Sequence, residues 1–192
     1  MREFIYFSSK AHTSGNFKDL MKAGRLDIAI HFIINSFFLS NNIRDDVKLH
    51  LIFYGPPTPP RHITLISNKD IPISKKDVAG LIKRMLFKYK GKDVEEIYPG
   101  CFIDKKNFFD VIEEKLKEKK RIIILDKDGI SIEKENINKD CVFVVGDHKG
   151  LPLKEIKRLK KIAERVSLGK KTYFASHVIT IINYLLDKKE EN

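Results

Sequence analysis

The chain has 192 residues, 42% of them hydrophobic, which is enough to bury a substantial core, and neither length nor composition demands more than one domain. Its 37 Lys and Arg against 26 Asp and Glu give a formal net charge of +11, a positive field that favours phosphate-rich partners such as RNA or DNA; a merely solvated lysine surface and a composition suited to high temperature are the competing readings. Cys101 and Cys141 form no C-x-x-C pair, which argues against a zinc site or a disulfide framework, and no apolar run is long enough for a signal peptide or a bilayer span, so a soluble protein of the reducing cytoplasm is expected.

Arg2 to Phe7 is a predicted first strand, followed by the polar loop "SSKAHTSGN". From Gly24 onward Leu26, Ile30, Ile33, Ile34 and Phe37 follow helical spacing, ending near Ser40 to Asn42. "VKLHLIFY", the rigid turn "GPPTPP" and "RHITLIS" read as a strand pair, expected to form a hairpin. Ser74 with Asp77 resembles a capping box, before an apolar stripe of Val78, Leu81, Ile82, Met85 and Leu86; Lys83, Arg84, Lys88, Lys90 and Lys92 decorate the other side. A helix over roughly Lys105 to Glu118 feeds the strand "RIIIL", and "DKDG" is expected to turn. The strand "VFVV", the helix "LKEIKRLKKIAER", a short strand "KTYF" and the helix "ASHVITIINYLL" complete the chain, and only the tail "DKKEEN" looks dispensable. Strands alternating with helices after residue 100 predict a mostly parallel sheet flanked by helices, within one domain spanning residues 1–192.

Ligands of such sheets gather beyond the carboxyl ends of the strands. Three loops therefore matter together: Leu125-Asp126, Gly146 to Leu151, and "RVSLGKK" at 165–171. In "CVFVVGDHKGLP" a fully buried strand stops at Gly146, which a strand-to-helix connection alone can explain; a glycine there also lets a flat ligand approach the backbone where a Cβ would intrude. Neither a dinucleotide fingerprint, a P-loop nor a nucleophile elbow is present.

"FVVGDHKGLP" followed by "RVSLGKKTYFASHVITIINYLLD" closely resembles the C-terminal signature of the SPOUT class, the trefoil-knotted RNA methyltransferases. Together with "AGRLDIAIHFIINSFFLSNNIRDDVKLHLIFYGPP" it is similar, over nearly the whole chain, to the archaeal tRNA pseudouridine-54 N1-methyltransferase family. Some relatives carry a cysteine near the C-terminus, where this chain ends "LLDKKEEN".

The resemblance implies an α/β fold with a deep C-terminal knot, and S-adenosyl-L-methionine bent into a pocket of three loops, without a metal. Leu125, Gly146, Leu151, Ser167, Leu168, Gly169 and Thr172 are the implied cofactor contacts. Methyl transfer from a sulfonium needs alignment and exclusion of water more than covalent chemistry. Arg25 and Asp27 of "GRLD" are the catalytic candidates: Arg25 to stabilise negative charge on the ring, Asp27 to accept or orient the N–H; a first-turn Asp favouring the helix dipole, paired with an Arg, is the plainer alternative. His31, one turn beyond Asp27, and Asp147 and His148 in the cofactor loop are weaker candidates. Arg44, Arg61, Lys83, Arg84 and Lys149 are candidate phosphate contacts to tRNA.

The last helix is apolar around most of its circumference: Val178, Ile181, Ile182 and Leu185 form one stripe, while Ile179, Tyr184 and Leu186 fall outside it. Such a helix near a chain end predicts a homodimer built on it. A sister enzyme acting on ribosomal RNA pseudouridine, and a non-catalytic basic RNA-binding module, are the rival functions.

Overall fold

The computed structural model describes residues 1–91 and 93–190. Lys92 and the last two residues of the tail, Glu191 and Asn192, lie outside the described residues. The strands are β1 (Arg2–Ser8), β2 (Val47–Phe53), β3 (Arg61–Ile66), β4 (Glu95–Tyr98), β5 (Cys101–Asp104), β6 (Arg121–Ser131), β7 (Cys141–Gly146) and β8 (Glu164–Ser167). They make one sheet in the order β4-β5-β3-β2-β1-β7-β6-β8. β2, β1, β7, β6 and β8 run parallel, while β3, β5 and β4 extend the sheet by antiparallel pairing.

The period-two alternation of β1 decides which layer each side chain enters. Phe4 and Tyr6 point into a large core shared with α1 (Leu26–Phe37), α2 (Val78–Lys88) and α5 (Ala175–Glu190). Ile5 and Phe7 point into a smaller one covered by α3 (Phe108–Lys117) and α4 (Leu153–Leu159). The predicted β2–β3 hairpin forms, with Phe53 opposite Arg61.

Four local expectations are corrected. "DKDG" is not a simple turn: β6 continues to Ser131, and Val166 lies opposite both Leu125 and Ile130, so the residues between bulge outward. Residues 171–174 form no strand, and Tyr173 and Phe174 are exposed; the edge strand is β8, which lies where the sequence reading extended α4 and its loop. α4 stops at Leu159 because the chain must return to pair with β6, a demand invisible in local periodicity. Ser74 caps no helix: the Asp77 N–H donates to its carbonyl, and the Asp77 carboxylate accepts from Arg84 at 2.7 Å. A reciprocal capping box forms instead at α3, between Asn107 and Asp110. Nothing in the sequence marks β4 and β5, which are four residues each: they form a tight hairpin through Pro99 and Gly100, and only β5 is tied into the rest of the sheet, by non-local pairing with β3.

Across β1, β2, β3 and β5 runs a buried polar row. His50 Nε2 lies 2.9 Å from Glu3, His50 Nδ1 lies 2.8 Å from His62 Nε2, and His62 Nδ1 lies 3.0 Å from Asp104. Lys115 of α3 adds an ion pair to Glu3 at 2.9 Å. Burial pushes His50 down to about 3, while His50 and Lys115 hold Glu3 well below the usual carboxylate range despite its own burial.

Candidate cofactor and RNA site

The parallel strands end together at one edge of the sheet, and the loops leaving them are stitched to one another. The Ser8 hydroxyl, at the end of β1, donates to Asp147 Oδ2 at 2.8 Å and accepts from the Ala11 N–H at 3.1 Å. Asp147 also accepts from the Lys149 N–H at 2.8 Å, and its own N–H donates to the Phe7 carbonyl at 2.9 Å. Its side chain is therefore a buried brace of the loop after β7, which removes it from the candidates for facing the substrate and from a merely solvated role alike. His148 next to it is exposed.

Gly146 requires a different explanation from the expected one. A Cβ there would lie 2.4 Å from the Gly150 carbonyl carbon and 2.7 Å from the Leu151 nitrogen, so the position is closed by the loop's own backbone rather than kept clear for a ligand. Open space lies instead over Gly150 (φ +70°) and Gly169 (φ +101°), where an added Cβ would meet nothing within 4 Å. Leu125, Leu151 and Leu168 stand half-buried around these loops. Ser167 is buried, donating to the Lys127 carbonyl at 3.2 Å and accepting from the Gly169 N–H at 3.1 Å, which ties the β6 bulge to the loop after β8. Thr172 is exposed further along that loop.

The loop after β1 returns to α1 through Gly24, whose Cβ would sit 1.7 Å from the Lys10 carbonyl oxygen and whose φ is +71°. Arg25 follows at φ 63°, ψ 42°, a left-handed conformation that costs a side-chain-bearing residue energy and that glycine adopts freely. Its Nε and Nη2 donate to the two oxygens of Asp27, each at 2.9 Å. The Arg25 guanidinium holds the Asp27 carboxyl below its ordinary range. His31 lies exposed one turn on.

Tyr6 joins these parts. Its side chain is buried, and its hydroxyl completes no hydrogen bond of ordinary geometry, although Ser8 stands beside it. Burial raises its pKa above the usual tyrosine range, the charges of Asp147 and Asp27 raise it further, and Arg25 opposes them. The catalytic candidates and the loop after β7 thus share one electrostatic neighbourhood. Neither Tyr6 nor Ser8 was singled out from sequence; as part of an apolar strand and a polar turn they carry no local signal.

The phosphate-contact candidates divide. Arg61 sits at this edge, donating to the Pro60 carbonyl and the Thr58 hydroxyl with its guanidinium over the Tyr89 ring. Lys83 and Arg84 are exposed on α2, and Lys149 on the loop after β7. Arg44 is corrected: it donates to both oxygens of Asp187 at 2.8 and 2.6 Å, and only 9% of its side chain is exposed. It belongs to an ion-pair cluster with Arg2 and Asp46 around the amino ends of β1 and β2, opposite the loops.

Among the described residues no group of His, Cys, Asp and Glu is placed to hold a metal, and no helix is long and apolar enough to cross a membrane. Cavities of about 380 Å³, bordered by Ile137 and Leu186, and 730 Å³, bordered by Asp104 and Lys106, lie away from the loop cluster.

The fold matches the crystal structure of Archaeoglobus fulgidus Nep1 bound to S-adenosylhomocysteine, with a TM-score of 0.66 over 100% of this chain and 99% of that one, at 13% identity. Among the described residues, the eight-stranded sheet and five α-helices share that mixed α/β fold. Residues 1–191 match the family described as "Putative SAM-dependent RNA methyltransferase", and the chain belongs to that family. Among curated relatives, proteins named tRNA (pseudouridine(54)-N(1))-methyltransferase are similar at 37% identity in Thermococcus gammatolerans (97% of each chain), 36% in Methanocaldococcus jannaschii and 38% in Methanococcus aeolicus (98% of each chain in both).

Proposed function

We propose that this chain transfers a methyl group from S-adenosylmethionine to N1 of pseudouridine 54 in the tRNA T-loop. The observation that carries the reading is the convergence of the Arg25–Asp27 pair, Tyr6 and the Ser8–Asp147 brace at the carboxyl edge of the parallel strands, in a chain whose full-length relatives bear that name. The loops fit the cofactor: the open faces of Gly150 and Gly169 leave room for a flat base against backbone, and Leu125, Leu151 and Leu168 offer apolar walls. Gly146 and Ser167 act one step back, setting the loops' shape, and Thr172, exposed further along the third loop, offers its hydroxyl to the cofactor.

S-adenosylmethionine supplies an electrophilic methyl group, so the protein has to align N1 with it and keep water out. Asp27, its basicity lowered by Arg25, accepts a hydrogen bond from N1–H and passes that proton on to water as the N1–methyl bond forms and the sulfonium departs as a neutral thioether. Arg25 engages Asp27 through Nε and Nη2, and its Nη1 remains outside that pair to meet negative charge gathering on the ring. Arg61, Lys83, Arg84 and Lys149 contact RNA phosphates.

We place the enzyme in the cytoplasm as one domain, its sheet being continuous from β4 to β8. A C-terminal knot is supported by the crossover from β6 to β7, which buries Ile132 and Ile137 in the same core as α5 and takes three hydrogen bonds from Lys189. A homodimer through α5 would use what its own core leaves uncovered: Tyr184, 61% exposed, with Ile181, Leu185 and the exposed Phe174 nearby in sequence. Calorimetric titration with S-adenosylmethionine tests the reading against a purely RNA-binding module. Saturable binding is expected, and its absence would reject methyl transfer.

A further inference from the structure

We propose that Phe87 on α2 is a stacking platform for an unpaired base of the RNA substrate, flanking the nucleotide that is modified; this rests on the RNA-methyltransferase reading above. α2 buries Val78, Leu81, Ile82, Met85 and Leu86, so the helix is already anchored without Phe87. The phenyl ring is nevertheless 76% exposed. A phenylalanine facing water is unfavourable unless something covers it, and a base is a flat apolar face that fits a ring in a basic setting.

The setting is basic. Lys83 and Arg84 lie one turn before Phe87, and Lys88 and Lys90 follow it, all four exposed. The Lys83 ammonium sits 5.4 Å from the Phe17 ring centre and the Lys88 ammonium 4.5 Å from that of Tyr98, so both flanking cations are drawn toward other rings. Asp77 is paired with Arg84 at 2.7 Å.

Charge selects the occupant. A second copy of a chain of net charge +11 would bring mostly like charge to this patch, whereas a polyanion carrying bases satisfies cations and ring at once. The patch is also joined to the site. A Cβ on Gly15 would lie 2.4 Å from the Lys83 carbonyl oxygen and 2.8 Å from the Phe87 Cβ, so the loop running from Ser8 to Gly24 rests on α2 at this point before it delivers Arg25.

The test measures affinity for a tRNA carrying pseudouridine 54, across a salt series, for wild type and the variants Phe87→Ala, Phe87→Leu, Phe87→Trp and Lys83→Ala. Base stacking predicts about tenfold weaker binding for Ala and for Leu, and wild-type or tighter binding for Trp. The Phe87 variants keep the wild-type salt slope because no counterion is involved, whereas Lys83→Ala lowers it by about one. Cofactor affinity, measured by calorimetry, stays at the wild-type value in each Phe87 variant. Wild-type binding by Phe87→Ala would overturn the proposal. So would Leu performing as well as Phe, or loss of an oligomer on sedimentation of Phe87→Ala, which would assign the ring to a protein contact. Because the readout is binding, RNA that binds without being methylated would sink the methyl-transfer reading and leave the platform standing.

Discussion

Arg25 occupies a backbone conformation that favours glycine, within electrostatic reach of the buried Tyr6 hydroxyl. Left-handed strain in a side-chain-bearing residue, kept where Gly24 already supplies one left-handed turn, indicates that the guanidinium is needed there. Arg25→Gly should therefore raise, or leave unchanged, the thermal midpoint while lowering turnover about a hundredfold. Wild-type turnover would reduce Arg25 to a surface residue. Its pair with Asp27 is a half-buried contact between residues two apart, local enough to add little to stability, so Asp27→Asn should fold normally. Steady-state kinetics should then show turnover falling more than cofactor affinity. The "GRLD" segment was legible from its resemblance, but the left-handed φ of Arg25 and its proximity to Tyr6 depend on how the β1 loop folds back.

At the scale of elements, the helices follow from apolar periodicity because each buries one face, and the central strands follow from short continuous apolar runs because helices cover both faces of the sheet. The failures have two causes: β5 and β8 exist through pairing with strands distant in sequence, and β4 is a four-residue edge strand with no apolar run, held only by its hairpin with β5. The loop after β7 was recognised for its glycines, yet its tightness is internal. Gly146→Val should force Gly150 and Leu151 apart, weakening cofactor affinity by calorimetry while circular dichroism stays native. Retained affinity would show that the loop can relax. α5 requires a similar revision: Ile179 and Ile182 are wholly buried in the chain's own core, so a charge at Ile182 would unfold the protein rather than probe a dimer. Tyr184→Glu is the suitable variant, expected to sediment as a monomer where wild type is a dimer; a monomeric wild type would reject the interface.

For the whole molecule, the row Glu3–His50–His62–Asp104 links fold stability to pH. His50 drops from 6.5 to about 3 on folding, and Glu3 and Asp104 are lowered from 4.5 and 3.8. The unfolded chain therefore takes up protons that the folded one refuses. Their stabilisation is complete above pH 6.5, declines first through His50, and declines further as Glu3 and Asp104 come into play. His50 alone predicts a loss of about 2 kcal/mol between pH 7 and 5 in urea unfolding; a flat profile there would contradict the burial assigned to it. Net charge and the family resemblance, by contrast, were readable from sequence and point outward, to RNA. The central claim is tested most directly by nucleoside mass spectrometry after incubating the wild-type protein and S-adenosylmethionine with two tRNA transcripts, one carrying uridine and one pseudouridine at position 54. N1-methylpseudouridine should appear at position 54 of the second transcript alone. No methylated nucleoside in either, or methylation of the uridine transcript, would contradict the account.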